Sequence, residues 1–341
     1  MNNIKEVNLA KTEEIMPKDR FIIGVDLGGT NIKLSLFDFE LNKLIELRKH
    51  TEAELGPSHV LSKIGDMISE SLEKLNIKEE SVWCMGMGIP GLLDPKEGKS
   101  FFSPNFPGWE NIHVTREMNK RFSFPVFIDN DVRVNLYGEW KYGAGKNIEN
   151  LVLITLGTGL GSGIVIDGNV LYGATASAGE IGHMNMYRQG RPCRCGSSGC
   201  LGRYVSAVGM INTFKEKLQQ GRKSIIEQWI NDDINKVEAK MISDAYDLGD
   251  CLAAEVMHET GEILGFGLAN VINLFNPEMI IIGGGMSDAG DRLLDKVRET
   301  IKNHALKVST NVCTVVQAKL GDSAGMLGAA VYAKDRALKK V

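Results

Sequence analysis

One short unit occurs twice in this chain and limits its possible folds more than any other feature. Residues 21–26 (FIIGVD) read as a buried strand, Gly28-Gly29 as a tight turn, and residues 32–37 as an alternating second strand. Residues 151–155 (LVLIT), the glycine turn 156–163 and residues 164–166 repeat the plan. Laid on one another without a gap, Leu27, Gly28 and Asp38 fall opposite Leu156, Gly157 and Asp167. A matched strand–turn–strand unit opening each half is what a duplicated domain leaves behind.

The rest of the pattern fits that division. Strands are expected at 44–50, 82–89, 126–128, 279–282 and 312–318. Helices are expected at 60–75, within 129–140, at 250–274, from Asp288 and from Ser323. Alternating strands and helices make an α/β protein, and 341 residues suit two domains. We divide the chain into a polar arm (1–20), a first lobe (21–140) and a second lobe (141–341) that includes a metal-binding loop at 183–200. Lys and Arg number 39 against 43 Asp and Glu, a net charge of −4. That balance argues against nucleic acid or an anionic membrane as partner. The longest uncharged stretch, 150–166, carries four glycines and is shorter than the roughly 20 apolar residues of a membrane span. Residues 1–20 mix acids and bases without an apolar run, so no secretory signal is expected and the cytoplasm is the default location.

Glycine is in excess, 38 residues against 9 prolines, and it is clustered. The first turn, Asp26-Leu27-Gly28-Gly29-Thr30-Asn31-Ile32-Lys33, can converge backbone amides on a phosphate, and Asp26 can hold a hydrated Mg²⁺. The second, containing Gly157, Thr158, Gly159 and Gly161, is another such cradle. Neither is a P-loop, and neither is a dinucleotide fingerprint, because each runs into a strand rather than a helix. The plainer alternative is a pair of hairpin turns that need positive φ. A third cluster, Gly283-Gly284-Gly285, follows a strand and suits either close approach of a flat ligand or tight packing.

With these pieces placed, the chain from about Phe21 to Lys339 resembles the ROK family of sugar kinases and repressors. The motifs that carry the likeness are DLGGTNIKLSLFD, GMGIPGLLD, SPNFPGW, the Asn130-Asp131 pair, LGTGLGSG, GEIGH, CRCGSSGCL and INLFNPEMIIIGGG. The resemblance implies a two-lobed actin-like ATPase (ribonuclease H-like) fold with duplicated βββαβα domains and an interlobe cleft. It implies an ATP-dependent hexose kinase of the glucokinase type and a homodimer or homotetramer. ATP phosphates would lie near both glycine turns and adenosine near Gly283–Gly285. Asp131 would be the catalytic base, with Asn105, Asn130, Asp131, Glu180 and His183 holding the sugar. Taken alone, Asp129 or Asp131 reads as a helix cap; only the family motif selects Asp131 for catalysis.

Three cysteines fall within eight residues, and His183 stands just ahead of them. His183, Cys193, Cys195 and Cys200 make one imidazole and three thiolates, a closed set suited to structural zinc. The alternatives are ordinary buried cysteines or a redox pair, although C-x-C is not the C-x-x-C of thioredoxin-like sites. Zinc at His183 would fix the loop that carries Glu180. Two positions depart from the family pattern: Gly202 stands where many members have a sugar-contacting Glu, and Val132-Arg133 where many have Ala-Asn. The first departure opens the choice of hexose to glucose, allose, mannose, fructose or an N-acetylhexosamine. A sugar-responsive repressor is the rival reading; only 25 residues precede Asp26, fewer than a helix-turn-helix domain needs.

Overall fold

The computed structural model describes residues 20–339 apart from Pro104, Asn105 and Asp232. All of the expected arm (1–20) but Arg20, and the sugar ligand expected at Asn105, therefore lie outside the described residues. The chain forms two compact units, one reaching to Tyr137 and resuming at Gly325, the other running from Gly138 to Ala324.

The first unit is built on strands β1 (Phe21–Leu27), β2 (Asn31–Phe37) and β3 (Lys43–His50), then helix α1 (Pro57–Lys74) and strand β4 (Val82–Ile89). A small antiparallel sheet follows, β5 (Leu92–Asp94), β6 (Lys99–Phe102) and β7 (Glu110–Ile112). Helix α2 (Val114–Asn119), strand β8 (Val126–Asn130) and helix α3 (Asp131–Lys141) complete the run. The main sheet has the order β3-β2-β1-β4-β8; β1 to β3 pair antiparallel, and β4 and β8 add in parallel. β1 is almost wholly buried because FIIGVDL is covered on both faces, whereas β3 alternates and puts Lys43, Arg48 and Lys49 on its edge. Helix α1 starts with Pro at its first position and buries Val60, Leu61, Ile64, Met67, Ile68 and Leu72, the stripe that its sequence period sets.

The second unit repeats this sheet. Strands β9 (Leu151–Leu156), β10 (Leu160–Ile166) and β11 (Asn169–Val170) pair antiparallel, and β12 (Met279–Gly283) and β13 (Thr314–Gln317) add in parallel. The order β11-β10-β9-β12-β13 matches the first sheet strand for strand. The duplicated βββαβα plan thus holds in both units, each with a fifth strand. Between β11 and β12 come α4 (Gly202–Val205), α5 (Ala207–Gln219), α6 (Ile226–Trp229), α7 (Ala239–Asp247) and the long α8 (Cys251–Phe275). Asp250 caps α8 by accepting the Ala253 amide at 2.8 Å, and Asn276 ends it in the left-handed region. Helices α9 (Asp291–His304) and α10 (Lys307–Thr310) precede β13. The helix expected from Asp288 begins at Asp291, since Gly285–Ala289 closes as a 3₁₀ turn.

The last helix, α11 (Ala324–Leu338), departs from the expected division at 140/141. From Gly325 onward it belongs to the first unit, although sequence order assigns it to the second. The reason is close packing. Gly24 and Gly86 are register partners on β1 and β4, and a Cβ on either would run into the main-chain carbonyl of Met326 or Ala329. Two bare glycines facing an alanine-rich helix let its backbone lie on the sheet.

Candidate functional site

Parallel pairing brings the first unit's acidic residues to one end of its sheet. Asp26 pairs with Gly88 on β4, and Gly88 pairs with Asp129 on β8. This is the carboxyl end of β1, β4 and β8, where ligands of open α/β sheets bind. Asp131 follows directly as the first residue of α3 and is half-buried. Burial first, and the Asp26 carboxylate second, push the Asp131 carboxyl up to about 6. Two carboxyls near enough to feel each other, one with a raised pKa, mark a candidate site, chemically able to hold a cation and accept a proton.

The helix cap falls to neither aspartate. Asn130 Oδ1 accepts the Val132 amide at 2.9 Å and the Arg133 amide at 3.3 Å, while its Nδ2 donates to the Gly91 carbonyl at 3.2 Å. Asn130 therefore has one N–H left to offer a ligand. On the other side of Asp26, a Cβ at Gly325 would lie 2.5 Å from Asp26 Oδ2. Gly325 thus seats the N-terminal turn of α11 against that carboxylate, a role invisible in the sequence because 299 positions separate the two residues. Thr51 was also missed. It is fully buried, donates its hydroxyl to the Gly28 carbonyl at 2.6 Å and its amide to the Thr30 carbonyl at 2.9 Å, pinning the first turn.

The glycine turns are not positive-φ hairpins. None of Gly28, Gly29, Gly157 or Gly159 lies in the left-handed region. A Cβ at Gly157 or Gly159 would meet nothing within 4 Å, so neither strain nor packing demands glycine there. What the missing side chains leave is open space beside the backbone, which suits close approach of an anion. Gly28 and Gly157 donate within their own turns, to Asn31 and Gly159 at 3.0 and 2.9 Å. Among the described residues the amides of Gly29, Thr30, Thr158 and Gly159 donate to no other group. Lys33, expected beside the phosphates, is the cross-strand partner of Asp26.

Two further groups gather at the second turn. Gly284, at φ +81°, packs against the main chain of Leu156, the first residue of that turn, and Gly285 has nothing within 4 Å of a Cβ. The segment of Glu180 is tied to β10 by Ser162, whose hydroxyl donates to the Gly179 carbonyl and accepts the Ile181 amide. Glu180 is itself exposed.

His183, Cys193, Cys195 and Cys200 converge, with all four donor atoms within 4.8 Å of one another. The Cys195 and Cys200 sulfurs are 3.7 Å apart, as are Cys193 Sγ and His183 Nδ1. A tetrahedral ion about 2.3 Å from each sulfur sets its sulfurs about 3.8 Å apart, so the donor set fits zinc. None of the six cysteines forms a disulfide. Arg191 braces the loop independently of any ion: it donates to the Arg203 and Gly209 carbonyls, to Thr213 and to Glu216, and stacks on Tyr204. At Gly202 a Cβ would make only ordinary contacts, 3.4 Å from the Gly182 carbonyl, so the backbone does not require glycine there.

Among the described residues no helix is long and apolar enough to cross a membrane. Comparison with known proteins gives a consistent picture. The sequence pattern of the ROK family matches residues 22–336. A glucokinase of Thermotoga maritima is 35% identical over 94% of this chain and 99% of its own. A ROK glucokinase from Streptomyces griseus, solved with glucose and AMPPNP, is 30% identical and superimposes with a TM-score of 0.77 over 92% of this chain and 99% of that one. A ROK transcriptional regulator, a homologue of the E. coli MLC protein, is 29% identical with a TM-score of 0.82, covering 94% of this chain and 78% of its own.

Proposed function

The chain belongs to the ROK family, and from that premise we propose that it is an ATP-dependent hexose kinase of the glucokinase type, passing the terminal phosphoryl group to a sugar hydroxyl, the 6-OH of glucose first. The observation that carries this reading is the placement of Asp26 and Asp131 at the same end of one sheet, Asp26 beside Gly88 and Asp131 two residues beyond Asp129, with the Asp131 carboxyl raised to about 6 by burial and by Asp26. A carboxyl in that range is ionised at neutral pH yet basic enough to take a proton, which is what a general base requires.

In this reading Asp131 orients the sugar hydroxyl and accepts its proton as the oxygen attacks phosphorus. Asn130 and Glu180 hydrogen-bond the sugar, joined by Asn105 and by the second ring nitrogen of His183. The turns at Gly28–Thr30 and Gly157–Gly161 receive the phosphates, with Gly283–Gly285 beside the base. Mg²⁺ bound with the nucleotide neutralises the phosphate oxygens, and Asp26 with its water shell is the group of this chain that would meet it. His183, Cys193, Cys195 and Cys200 would hold a structural zinc, which would stiffen the loop that carries Glu180.

The testing experiment is a coupled ADP-release assay across glucose, mannose, allose, fructose and N-acetylhexosamines, with Asp131→Asn as control. Turnover of at least one hexose, lost in the variant while nucleotide still binds, is the expected result. Near-normal turnover by Asp131→Asn refutes the assignment of the base. A wild-type protein that phosphorylates nothing but binds an operator-containing DNA fragment would make the chain a regulator instead.

A further inference from the structure

We propose that Arg133 is a positioning residue for phosphoryl transfer: locked to Asp129, it holds the strand-to-helix bend that presents Asn130 and Asp131. This rests on the kinase reading above. Asp129, in β8, is 0% exposed, and the Arg133 side chain, in the first turn of α3, is 7% exposed. Arg133 Nε donates to Asp129 Oδ1 at 2.6 Å.

Stability alone does not account for such a pair. Taking two charges out of water costs about as much as their attraction returns, and apolar residues of similar volume often serve as well. The surroundings show what it holds. The same Asp129 Oδ1 accepts the Asn130 amide at 2.7 Å. Asn130 Oδ1 in turn receives the Val132 and Arg133 amides, and Asn135 Nδ2 donates to the Asp131 carbonyl at 2.8 Å. The backbone on both sides of Asp131 is therefore fastened, and the fastening on the strand side converges on one carboxylate oxygen that Arg133 also binds. From the outside, Tyr332 of α11 faces Asp129 with its phenol kept protonated by burial and by that carboxylate, so it supplies no competing charge. Arginine suits the position because its charge is permanent and its planar donor group is rigid.

The consequence is a defect in the chemical step rather than in binding, because a shift of about 1 Å in a reacting group costs up to about a hundredfold in rate. The test compares wild type, Arg133→Met, Arg133→Lys and the double variant Asp129→Asn/Arg133→Met by steady-state kinetics and thermal unfolding. Arg133→Met should lower kcat by about 30- to 100-fold with the KM for sugar and nucleotide within about threefold, and Arg133→Lys should recover part of it. The double variant, with no buried charge left unpaired, should regain most of the lost Tm while kcat stays low. If Arg133→Met does not fold, the double variant carries the same readout. Wild-type kcat in Arg133→Met, or kcat returning together with Tm in the double variant, overturns the proposal and leaves the kinase reading intact. A wild-type chain that phosphorylates no hexose removes the kinase reading, and this proposal with it.

Discussion

At the scale of single residues, the proposed role of Asp131 as base makes its carboxyl the group that would set the acid limb of catalysis. Its pKa is raised by burial and by Asp26 to about 6, and a base works only when ionised. Activity should therefore be near its plateau at pH 7.5 and fall about tenfold per unit once pH drops well below 6. A kcat/KM profile measured between pH 4.5 and 8 checks this; an acid limb centred near 4 would mean that neither burial nor Asp26 acts on the group. Gly325 offers a second check. Alanine there would put a methyl group 2.5 Å from Asp26 Oδ2 and force the carboxylate or the helix turn to move. Gly325→Ala should fold, with a stability cost of about 1–3 kcal/mol from overpacking. It should also raise the KM for Mg-ATP about tenfold or more, because the group expected to meet the cation is displaced. Unchanged nucleotide kinetics would remove Asp26 from the phosphate site. Both aspartates stand out in the sequence as candidates. Their mutual influence does not, because it depends on strand pairing that no local pattern reports.

At the scale of elements, the 183–200 loop has two supports of different kind. The converging His183, Cys193, Cys195 and Cys200 would close the loop around the proposed zinc, and Arg191 fastens its other flank to α5 through Thr213 and Glu216. Removing the metal with a strong chelator should therefore loosen the 183–200 segment without unfolding the second unit. Sugar affinity, followed by calorimetry, should weaken at least tenfold while nucleotide affinity changes little. Elemental analysis should give about one zinc per chain, lost in Cys195→Ser. Sugar binding that ignores the metal would separate Glu180 from the loop. That these four side chains converge could be read from spacing and residue type. The role of Arg191 could not, since with Arg188 and Arg194 three positions to either side it looks like one of several solvated surface arginines. The strand-to-helix transitions followed a similar rule. Residues 82–89 were legible because eight apolar or small residues stand between clear turn signals. The start of α9 was misjudged because Asp288 has the residue type of a cap, while the backbone around Gly284 and Gly290 runs through positive φ and delays the helix.

At the scale of the whole molecule, the chain's end completes its beginning. Helix α11 buries Met326, Ala329, Ala330, Tyr332 and Ala333, and its seat is the pair Gly24 and Gly86. Deleting the chain from Gly325 onward should prevent stable folding, since exposing the apolar faces of β1 and β4 costs more than the roughly 5–15 kcal/mol by which domains are stable. A cooperative thermal transition in the truncated protein would show that the first unit closes without α11.

The sequence by itself determined the duplicated α/β plan, the glycine turns, the convergent His183, Cys193, Cys195 and Cys200 set and the family, because each is written in a contiguous run where residue type and spacing act locally. Only the tertiary structure decided that α11 joins the first unit, that Gly325 abuts Asp26 and that Arg133 is buried on Asp129. The first two depend on segments far apart in the chain meeting across a sheet. The third depends on burial, which turns an ordinary i, i+4 pair into a desolvated one with a fixed geometry. Periodicity records which face of an element is apolar; it does not record which distant element will cover that face.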